Sequence, residues 1–232
     1  VRTLADVDAM ADHFSAGKRA LIVGGGYIGL EAAAVARKMG VEVTVVEMAE
    51  RILQRVAAPE TSDYFRDLHR SQGVDVREGI GLQSLNGTNA VSSATLSDGT
   101  ELDVDFVIVG VGITPNSAIA EQAGLTIENG IAVDEYGRTS DPHVWSAGDC
   151  ASFQLRGARR RLESVQNAID QAEAVAENMI GANKVYTPKP WFWSDQYDVK
   201  LQIAGLNIGY DRVVARRDPN GTAVSFWYYA QD

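Results

Sequence analysis

Three glycines, spaced by two and then three residues, are the first feature of this sequence with the potential for chemistry. They are Gly24, Gly26 and Gly29. In this pattern the first glycine permits a tight turn, the second lets the backbone approach a pyrophosphate, and the third lets a helix pack closely on a strand. A helix that begins here also offers free N–H groups and the positive end of its dipole to phosphates. The stretch 24–29 therefore predicts a pyrophosphate site.

An acidic residue at the end of the following strand indicates which dinucleotide would bind. Glu47 closes that strand, and a carboxylate there can accept hydrogen bonds from the adenosine ribose hydroxyls. It would repel a 2′-phosphate, so NAD(H) is favoured over NADP(H). Two alternatives stay open: Arg51 is a basic residue of the kind that accepts NADP, and a bare strand–helix–strand turn would leave Glu47 solvated. We favour NAD(H) because Glu47 closes the strand.

Hydrophobic periodicity places these residues on alternating strands and helices. The predicted elements are a helix over 4–15 with Thr3 as N-cap, a strand over 19–23, a helix from the glycines to about 39, a strand over 41–47, a helix over 59–71, strands over 79–85, 90–96 and 101–104, and an apolar strand over 106–111. Asn86-Gly87 and Asp98-Gly99 are hairpin signals, so the three short strands predict a meander. This order predicts a doubly wound α/β domain of Rossmann type.

The rest of the chain holds too few strands for a parallel sheet of its own. Its predicted elements are a helix over 117–123, a small β segment through 133, a helix over 162–180, and strands over 199–204, 212–215 and 223–229. We therefore predict three domains. They are the Rossmann-type domain with its meander (1–114), part of a second α/β domain (115–182), and a truncated antiparallel α+β domain (183–232).

Composition excludes several classes of protein. The 21 basic and 31 acidic residues give a net charge of −10, which argues against nucleic acid as a partner. No apolar run approaches the roughly 20 residues that a membrane helix needs. The chain begins at Val1 rather than Met and shows no signal peptide, so we expect a piece of a longer cytoplasmic protein.

Metal and disulfide chemistry find no support in the sequence. Cys150 is the single cysteine, which excludes an intramolecular disulfide and a Cys-x-x-Cys redox pair. We expect it to be a buried small residue rather than a nucleophile. The three histidines, His13, His69 and His143, are scattered without metal-ligand spacing.

Several longer strings resemble one known family. Residues 24–31, 109–116 and 139–149 resemble the FAD- and NAD-dependent pyridine-nucleotide oxidoreductases of the glutathione-reductase fold. Within that group, residues 161–168 and 190–196 resemble the ferredoxin and rubredoxin reductase branch. The resemblance covers essentially the whole chain, and the strings follow one another in the family's order.

The resemblance implies a role for each matching residue. Tyr27 would pack near the nicotinamide ring and Glu31 near its carboxamide. The other implied ligands are Gly24, Gly26, Gly29 and Glu47 for NAD; Gly112 for a pyrophosphate; Gly148 and Asp149 for the ribityl chain of FAD; and Glu163, Ser164, Val165 and Trp193 along the isoalloxazine. Each has a structural alternative: Tyr27 as a cap on the sheet, Glu31 as a solvated helix residue, Asp149 as a turn acid and Trp193 as a core aromatic.

The resemblance also implies an electron path and a departure from the family. NADH would give a hydride to FAD, which would pass single electrons to a ferredoxin or rubredoxin that serves an oxygenase. The family's first glycine-rich unit, which binds the ADP half of FAD, does not occur in this sequence, and the C-terminal domain is short. We therefore expect FAD in the complete protein and interpret this chain as a fragment of it.

A run of arginines indicates how a partner could be attracted. Arg156, Arg159, Arg160 and Arg161 follow one another without an intervening acid. We expect them to steer an acidic iron–sulfur carrier toward the flavin; the alternative is a solvated loop.

Two other functions compete with this interpretation. The chain could be another oxidoreductase of the same fold, such as a nitrite reductase subunit or an NADH oxidase, or an NAD-binding module without turnover. The tryptophan-rich string 190–196 favours the ferredoxin and rubredoxin reductase branch.

Overall fold

The computed structural model describes residues 3–221 and 223–230. Its helices are α1 (Leu4–Ala11), α2 (Tyr27–Lys38), α3 (Pro59–Ser71), α4 (Ala118–Gln122) and α5 (Val165–Met179). Its strands are β1 (Arg19–Val23), β2 (Glu42–Glu47), β3 (Asp75–Glu78), β4 (Leu82–Asn86), β5 (Ser93–Leu96), β6 (Glu101–Asp103), β7 (Phe106–Val109), β8 (Ile131–Ala132), β9 (Ala151–Leu155), β10 (Ala158–Arg160), β11 (Trp191–Gln196), β12 (Val199–Ala204), β13 (Arg212–Arg217) and β14 (Val224–Tyr229).

A parallel sheet of order β3-β2-β1-β7 carries the glycine loop. The strand β1 lies between β2 and β7, and its residues Leu21 and Ile22 are fully buried. Such continuous apolar burial is typical of a parallel strand covered on both faces. The predicted α/β fold is therefore confirmed.

The strand β3 was not predicted. Its sequence is Asp-Val-Arg-Glu, and only Val76 is buried. It lies at the edge of the parallel sheet and pairs only with β2 among the described strands. An edge strand can carry charged side chains, so its sequence lacks the apolar run from which a buried strand is predicted.

The predicted meander is confirmed as an antiparallel sheet of order β4-β5-β6. Its residues Ala94 and Leu96, together with Val104 after β6, join Leu21 and Val46 of the parallel sheet in one buried cluster. The helix α1 has the predicted Thr3 cap but ends at Ala11 instead of residue 15. Beyond it the chain turns and packs the Phe14 ring 5.2 Å from the Phe106 ring, measured between centroids.

The chain falls into two units. The first comprises Val1–Val111, Ser194–Lys200 and Asn207–Asp232, and the second comprises Gly112–Trp193 and Leu201–Leu206. The limits of the predicted domains at residues 1 and 232 lie outside the described residues. The division into domains 1–114, 115–182 and 183–232 stays a prediction.

The second unit contains two strands that the sequence analysis missed. The strands β9 and β10 form an antiparallel hairpin, and β8 pairs parallel with β9. The hairpin turns at Arg156 and Gly157, both with positive φ. Two of the four arginines, Arg159 and Arg160, therefore lie on β10, a strand at the edge of its sheet that carries arginines instead of apolar residues.

The C-terminal part is antiparallel, as predicted, with the pairs β11-β12 and β13-β14. The strand β11 was missed because its last three residues are polar, although two of them, Ser194 and Gln196, are buried. No helix among the described residues is long and apolar enough to cross a membrane.

Candidate functional site

Two of the three glycines are required by the packing of the loop itself. Gly24 has a φ of +109°, and a Cβ there would lie 2.4 Å from the carbonyl oxygen of Gly110. A Cβ on Gly29 would lie 2.1 Å from the carbonyl oxygen of Gly24. These distances are far below van der Waals contact, so the turn and the close approach of α2 to the loop depend on these glycines.

Gly26 is different because no packing contact requires it. It is the N-cap residue of α2, its φ is −78°, and a Cβ there would meet no atom within 4 Å. A side chain at this position would point into open space at the N-terminus of α2, where no side chain caps the helix. A glycine here leaves the helix terminus accessible to an anionic group.

The Glu47 carboxylate is fixed by the loop that it follows. Its Oε2 accepts a hydrogen bond from the Gly25 amide at 2.8 Å, and its Oε1 accepts one from the Ala49 amide at 2.8 Å. A carboxylate has about four acceptor positions, so Glu47 keeps capacity for a ligand hydroxyl. A ligand-binding role for the Glu47 carboxylate was predicted from the sequence, whereas these two hydrogen bonds to the backbone were not.

Arg51 is engaged away from Glu47. Its guanidinium donates to the Ser62 hydroxyl and to the carbonyl oxygen of Gln54. The Ser62 hydroxyl in turn donates to the Ile52 carbonyl oxygen. These bonds hold Arg51 against the start of α3, which weakens the alternative that it receives a 2′-phosphate.

Tyr27 and Glu31 lie one helical turn apart on α2, and therefore on the same face. Burial raises the pKa of the Tyr27 phenol well above its ordinary value, so it is neutral at physiological pH. The Glu31 Oε1 accepts a hydrogen bond of 2.6 Å from the Ser194 hydroxyl. The alternative of a solvated Glu31 is weakened by this contact.

In the second unit, three residues predicted for the flavin have hydrogen-bond or ion-pair partners among neighbouring side chains. Gly148 is buried, has a φ of +79°, and donates its amide to Oε1 of Gln171 in α5 at 2.9 Å. Arg161 donates to the Asp149 carbonyl oxygen and forms a 2.7 Å ion pair with Glu163. The Asp149 carboxylate is left exposed, as a ligand for ribityl hydroxyls would be.

The N-terminus of α5 adjoins this cluster in sequence. Ser164 is its N-cap, and its hydroxyl accepts from the Asn167 amide at 3.2 Å. Val165, the first helical residue, is 58% exposed. The exposed Asp149 carboxylate and the N-terminus of α5 suit the polar ribityl chain of a flavin, and the exposed Val165 side chain suits its apolar ring.

Two predicted residues remain without a described link to that cluster. Gly112 is exposed and has a φ of +119°. Trp193 is 41% exposed and packs on Trp191 with 5.3 Å between ring centroids. A core position for Trp193 is therefore disfavoured, while the ligand roles of both residues stay predictions.

The four arginines do not act as one charged surface. Arg159 pairs with Glu128 and also donates to two carbonyl oxygens, and Arg161 pairs with Glu163. Arg156 is exposed at the tip of the β9–β10 hairpin, and Arg160 is half-buried. Arg156 is thus the member of the run that is best placed to act on a partner in solution.

Metal and thiol chemistry gain no support from the described residues. Residues 3–221 and 223–230 contain no group of three or more histidine, cysteine or acidic side chains that could hold a metal ion. Cys150 is half-buried, and its Sγ lies 3.7 Å from the Ala147 carbonyl oxygen.

Sequence reasoning missed four buried polar residues that support the site. They are His69, Gln171, Ser194 and Gln196, each at most 2% exposed. A glutamine or histidine within an amphipathic helix gives no sign in its sequence that it will be buried. Ser194 and Gln196 lie within the stretch 190–196 that resembles the ferredoxin and rubredoxin reductases, and this resemblance was the one sequence signal that pointed to them.

The parallel sheet, with its glycine loop between β1 and α2, defines a doubly wound α/β protein. Comparison with known families agrees: the pyridine nucleotide-disulphide oxidoreductase profile matches residues 1–172, and the reductase C-terminal profile matches residues 191–232. The chain therefore belongs to the pyridine nucleotide-disulphide oxidoreductase family.

Individual relatives narrow the branch. The chain is 47% identical to the 5,5′-dehydrodivanillate O-demethylase ferredoxin reductase subunit of Sphingobium sp. (strain NBRC 103272 / SYK-6), over 100% of this chain and 57% of the relative. The solved ferredoxin reductase for the CYP199A2 system from Rhodopseudomonas palustris is 44% identical, with a TM-score of 0.94 over 99% of this chain and 57% of that one.

A second solved structure is the reductase of a covalent putidaredoxin reductase–putidaredoxin complex. It is 40% identical, with a TM-score of 0.92 over 98% of this chain and 56% of that chain. The chain thus spans a little over half the length of the relatives it matches. The relatives bear out the predicted resemblance to ferredoxin reductases and do not favour the other oxidoreductases of the fold.

Proposed function

We propose that this chain forms the NADH-binding part of a flavoprotein reductase that passes electrons to a ferredoxin or rubredoxin serving an oxygenase. The observation that carries the proposal is the Glu47 carboxylate, held by the Gly25 and Ala49 amides at the edge of the glycine loop. The names of the relatives, which are ferredoxin and putidaredoxin reductases, support the acceptor class.

The NADH site follows from the first unit. The pyrophosphate lies against Gly26 and the N-terminus of α2, where no side chain intervenes. Glu47 accepts hydrogen bonds from the adenosine ribose and opposes a 2′-phosphate by charge repulsion. Tyr27 and Glu31 orient the nicotinamide from the same face of α2. These residues bind and position NADH, and none of them needs to transfer a proton.

The residues of this chain proposed for the flavin all belong to the second unit. Gly148, Asp149, Glu163, Ser164, Val165 and Trp193 are the residues of this chain that would hold FAD, and Gly112 would lie on the pyrophosphate side. FAD supplies the acceptor for a hydride and the means of releasing its two electrons one at a time. The protein's part is to keep the reactants in place and to exclude water.

The partner is an acidic iron–sulfur carrier, and Arg156 is the residue of this chain that steers it. Its position on a two-residue hairpin turn exposes the guanidinium, whereas Arg159 and Arg161 are neutralised by Glu128 and Glu163. Long-range attraction of this kind acts on the association rate and weakens as salt is added. A cytoplasmic location remains a prediction from the sequence.

The proposal is tested under anaerobic conditions on the FAD-loaded reductase of which this chain is proposed to form part. Addition of one equivalent of NADH should bleach the flavin absorbance. Two equivalents of oxidised putidaredoxin should then restore it, because each iron–sulfur cluster takes one of the two electrons. A flavin that NADH leaves oxidised would refute the proposal.

The steering role of Arg156 is tested in the same assay by charge reversal. Arg156→Glu should slow partner reduction at low salt and flatten its dependence on salt. Arg55→Glu is the control, because Arg55 is also exposed and the change in net charge is identical. Equal salt dependence in the two variants would refute the role of Arg156.

A further inference from the structure

A chain of buried side chains leads from the third helix to Glu31. The Tyr197 hydroxyl lies 3.1 Å from Nδ1 of His69. On the other side of the ring, Nε2 of His69 lies 2.8 Å from Oε1 of Gln196. The Gln196 amide nitrogen donates to the Ser194 hydroxyl oxygen at 3.1 Å. That hydroxyl donates to Oε1 of Glu31 at 2.6 Å.

The donors along this chain all point the same way. The carboxylate of Glu31 can only accept, so the Ser194 hydroxyl must give its proton to that bond and accept from Gln196. The Gln196 carbonyl oxygen then faces His69, which must donate from Nε2. A neutral imidazole that donates from Nε2 accepts at Nδ1, and the Tyr197 hydroxyl supplies that bond.

The chain is shielded from water at its centre. His69 and Gln196 are fully buried, and Ser194 is 1% exposed. Burial lowers the pKa of His69, which keeps the imidazole neutral as the direction of donation requires, although its bond to Gln196 acts the other way. In such surroundings a broken link leaves an unpaired polar group, so the chain holds its members in one arrangement.

We infer that His69, Gln196 and Ser194 are positioning residues that fix the Glu31 carboxylate for recognition of the nicotinamide carboxamide. The inference rests on the proposed function, which places Glu31 beside the carboxamide. Glu31 uses Oε1 for Ser194, and its Oε2 can accept from the carboxamide N–H group. Without the Ser194 bond the long Glu31 side chain would sample several rotamers and lose affinity for that group.

ADP-ribose separates a positioning role from a general structural one. It contains the pyrophosphate and both riboses of NADH but lacks the nicotinamide, so it should occupy the glycine loop without reaching Glu31. In the FAD-loaded protein, with the flavin reduced beforehand so that no hydride is transferred, Ser194→Ala should weaken NADH binding measured by calorimetry by about tenfold. Its ADP-ribose affinity should stay within about twofold of the parent.

Ser152→Ala is the matched control. Ser152 is also fully buried, and its hydroxyl has no hydrogen-bond partner among the described residues. The substitution therefore removes the same group from an equally buried site without breaking a chain to Glu31. Its affinities for NADH and ADP-ribose should both match the parent.

The Glu31→Gln variant separates the positioning role of Ser194 from the proposed role of Glu31 in binding NADH. If Glu31→Gln weakens NADH binding while Ser194→Ala does not, the positioning role is overturned and the proposed site stands. If Ser194→Ala weakens NADH and ADP-ribose equally, Ser194 is merely structural and the inference is overturned. If Glu31→Gln binds NADH like the parent, the proposed role of Glu31 falls, and the inference falls with it.

A measurement on the unsubstituted protein does not depend on the folding of any variant. Nitrogen NMR of labelled histidine should show His69 as the neutral tautomer with its proton on Nε2. A proton on Nδ1 would break the direction of donation at Gln196 and overturn the inference.

Discussion

The Glu47 carboxylate at the end of β2 accepts a hydrogen bond from the Gly25 amide in the loop after β1, across 2.8 Å. The residue predicted to recognise the ribose therefore also fixes the loop predicted to recognise the pyrophosphate. A Cβ on Gly25 would lie 2.5 Å from the Ile52 side chain, so the same loop is confined on its other side. The two predicted halves of the nucleotide site are thus joined by a hydrogen bond.

Glu47→Gln should weaken NADH binding and reduce discrimination against NADPH. The amide keeps one oxygen acceptor but turns a donor toward the second backbone N–H, and the negative charge is lost. Loss of a hydrogen bond to a charged group costs about 1.5–3 kcal/mol, so the NADH dissociation constant should rise by about tenfold or more. Calorimetric titration of both nucleotides against the protein with its flavin already reduced measures the change without hydride transfer.

Glu42→Gln is the control for this prediction, because Glu42 is exposed at the opposite end of the same strand. It should bind both nucleotides like the parent. Unchanged selectivity in Glu47→Gln would show that Glu47 does not recognise the ribose.

The second and third glycines of the motif should respond differently to alanine. In Gly26→Ala the new methyl group meets no protein atom, so the melting temperature should stay near that of the parent while NADH binding is lost. In Gly29→Ala the methyl group collides with the Gly24 carbonyl oxygen, so both stability and binding should fall. Thermal denaturation and NADH titration on each variant give the comparison. Full NADH affinity in Gly26→Ala would place the pyrophosphate elsewhere.

Gln171→Met should destabilise the second unit and weaken retention of FAD. The substitution leaves the buried Gly148 amide without its acceptor, which costs about 1–3 kcal/mol in the free energy of unfolding. Gln166→Met on the same helix removes only a half-buried bond to Asp170 and serves as the control. Chemical denaturation and flavin content should separate the two variants. Equal losses would mean that the Gln171 bond has no special importance.

His69 should make stability depend on pH in mildly acidic solution. Burial lowers its pKa below the ordinary value of 6.5, so the unfolded chain binds the proton more readily than the folded one. Stability is then complete above pH 6.5, falls as pH drops below it, and levels off below the folded pKa. The slope contributed by this one group is at most about 1.4 kcal/mol per pH unit.

Denaturant titrations across that range check the pH prediction. His69→Gln should show a shallower dependence than the parent, because the titrating group is gone. His143→Gln, which alters an exposed histidine, should follow the parent curve. Identical curves for His69→Gln and the parent would contradict the prediction.

The sequence was most informative where local rules apply. The apolar β1, the Pro59 start of α3 and the Asn-Gly and Asp-Gly turns all have local physical causes, and each is found in the structure. The glycine motif could be assigned because the steric demands on Gly24 and Gly29 are those that their spacing implies.

The sequence was least informative where a role depends on distant residues. The bond between Ser194 and Glu31 joins positions 163 residues apart, and the burial of His69 depends on residues 127 and 128 positions away. Likewise, the arginine run looked like a solvent-exposed cluster because Glu128, which neutralises Arg159, stands far before it. Periodicity and composition carry no record of such pairs.

The glycine loop and Glu47 are proposed to deliver NADH, in preference to NADPH, to a flavin. The most direct measurement compares anaerobic bleaching of the FAD-loaded protein by the two nucleotides in a stopped-flow spectrophotometer. NADH should bleach the flavin rapidly, and NADPH at the same concentration should do so much more slowly. Bleaching by neither nucleotide, or equal rates with both, would contradict this account.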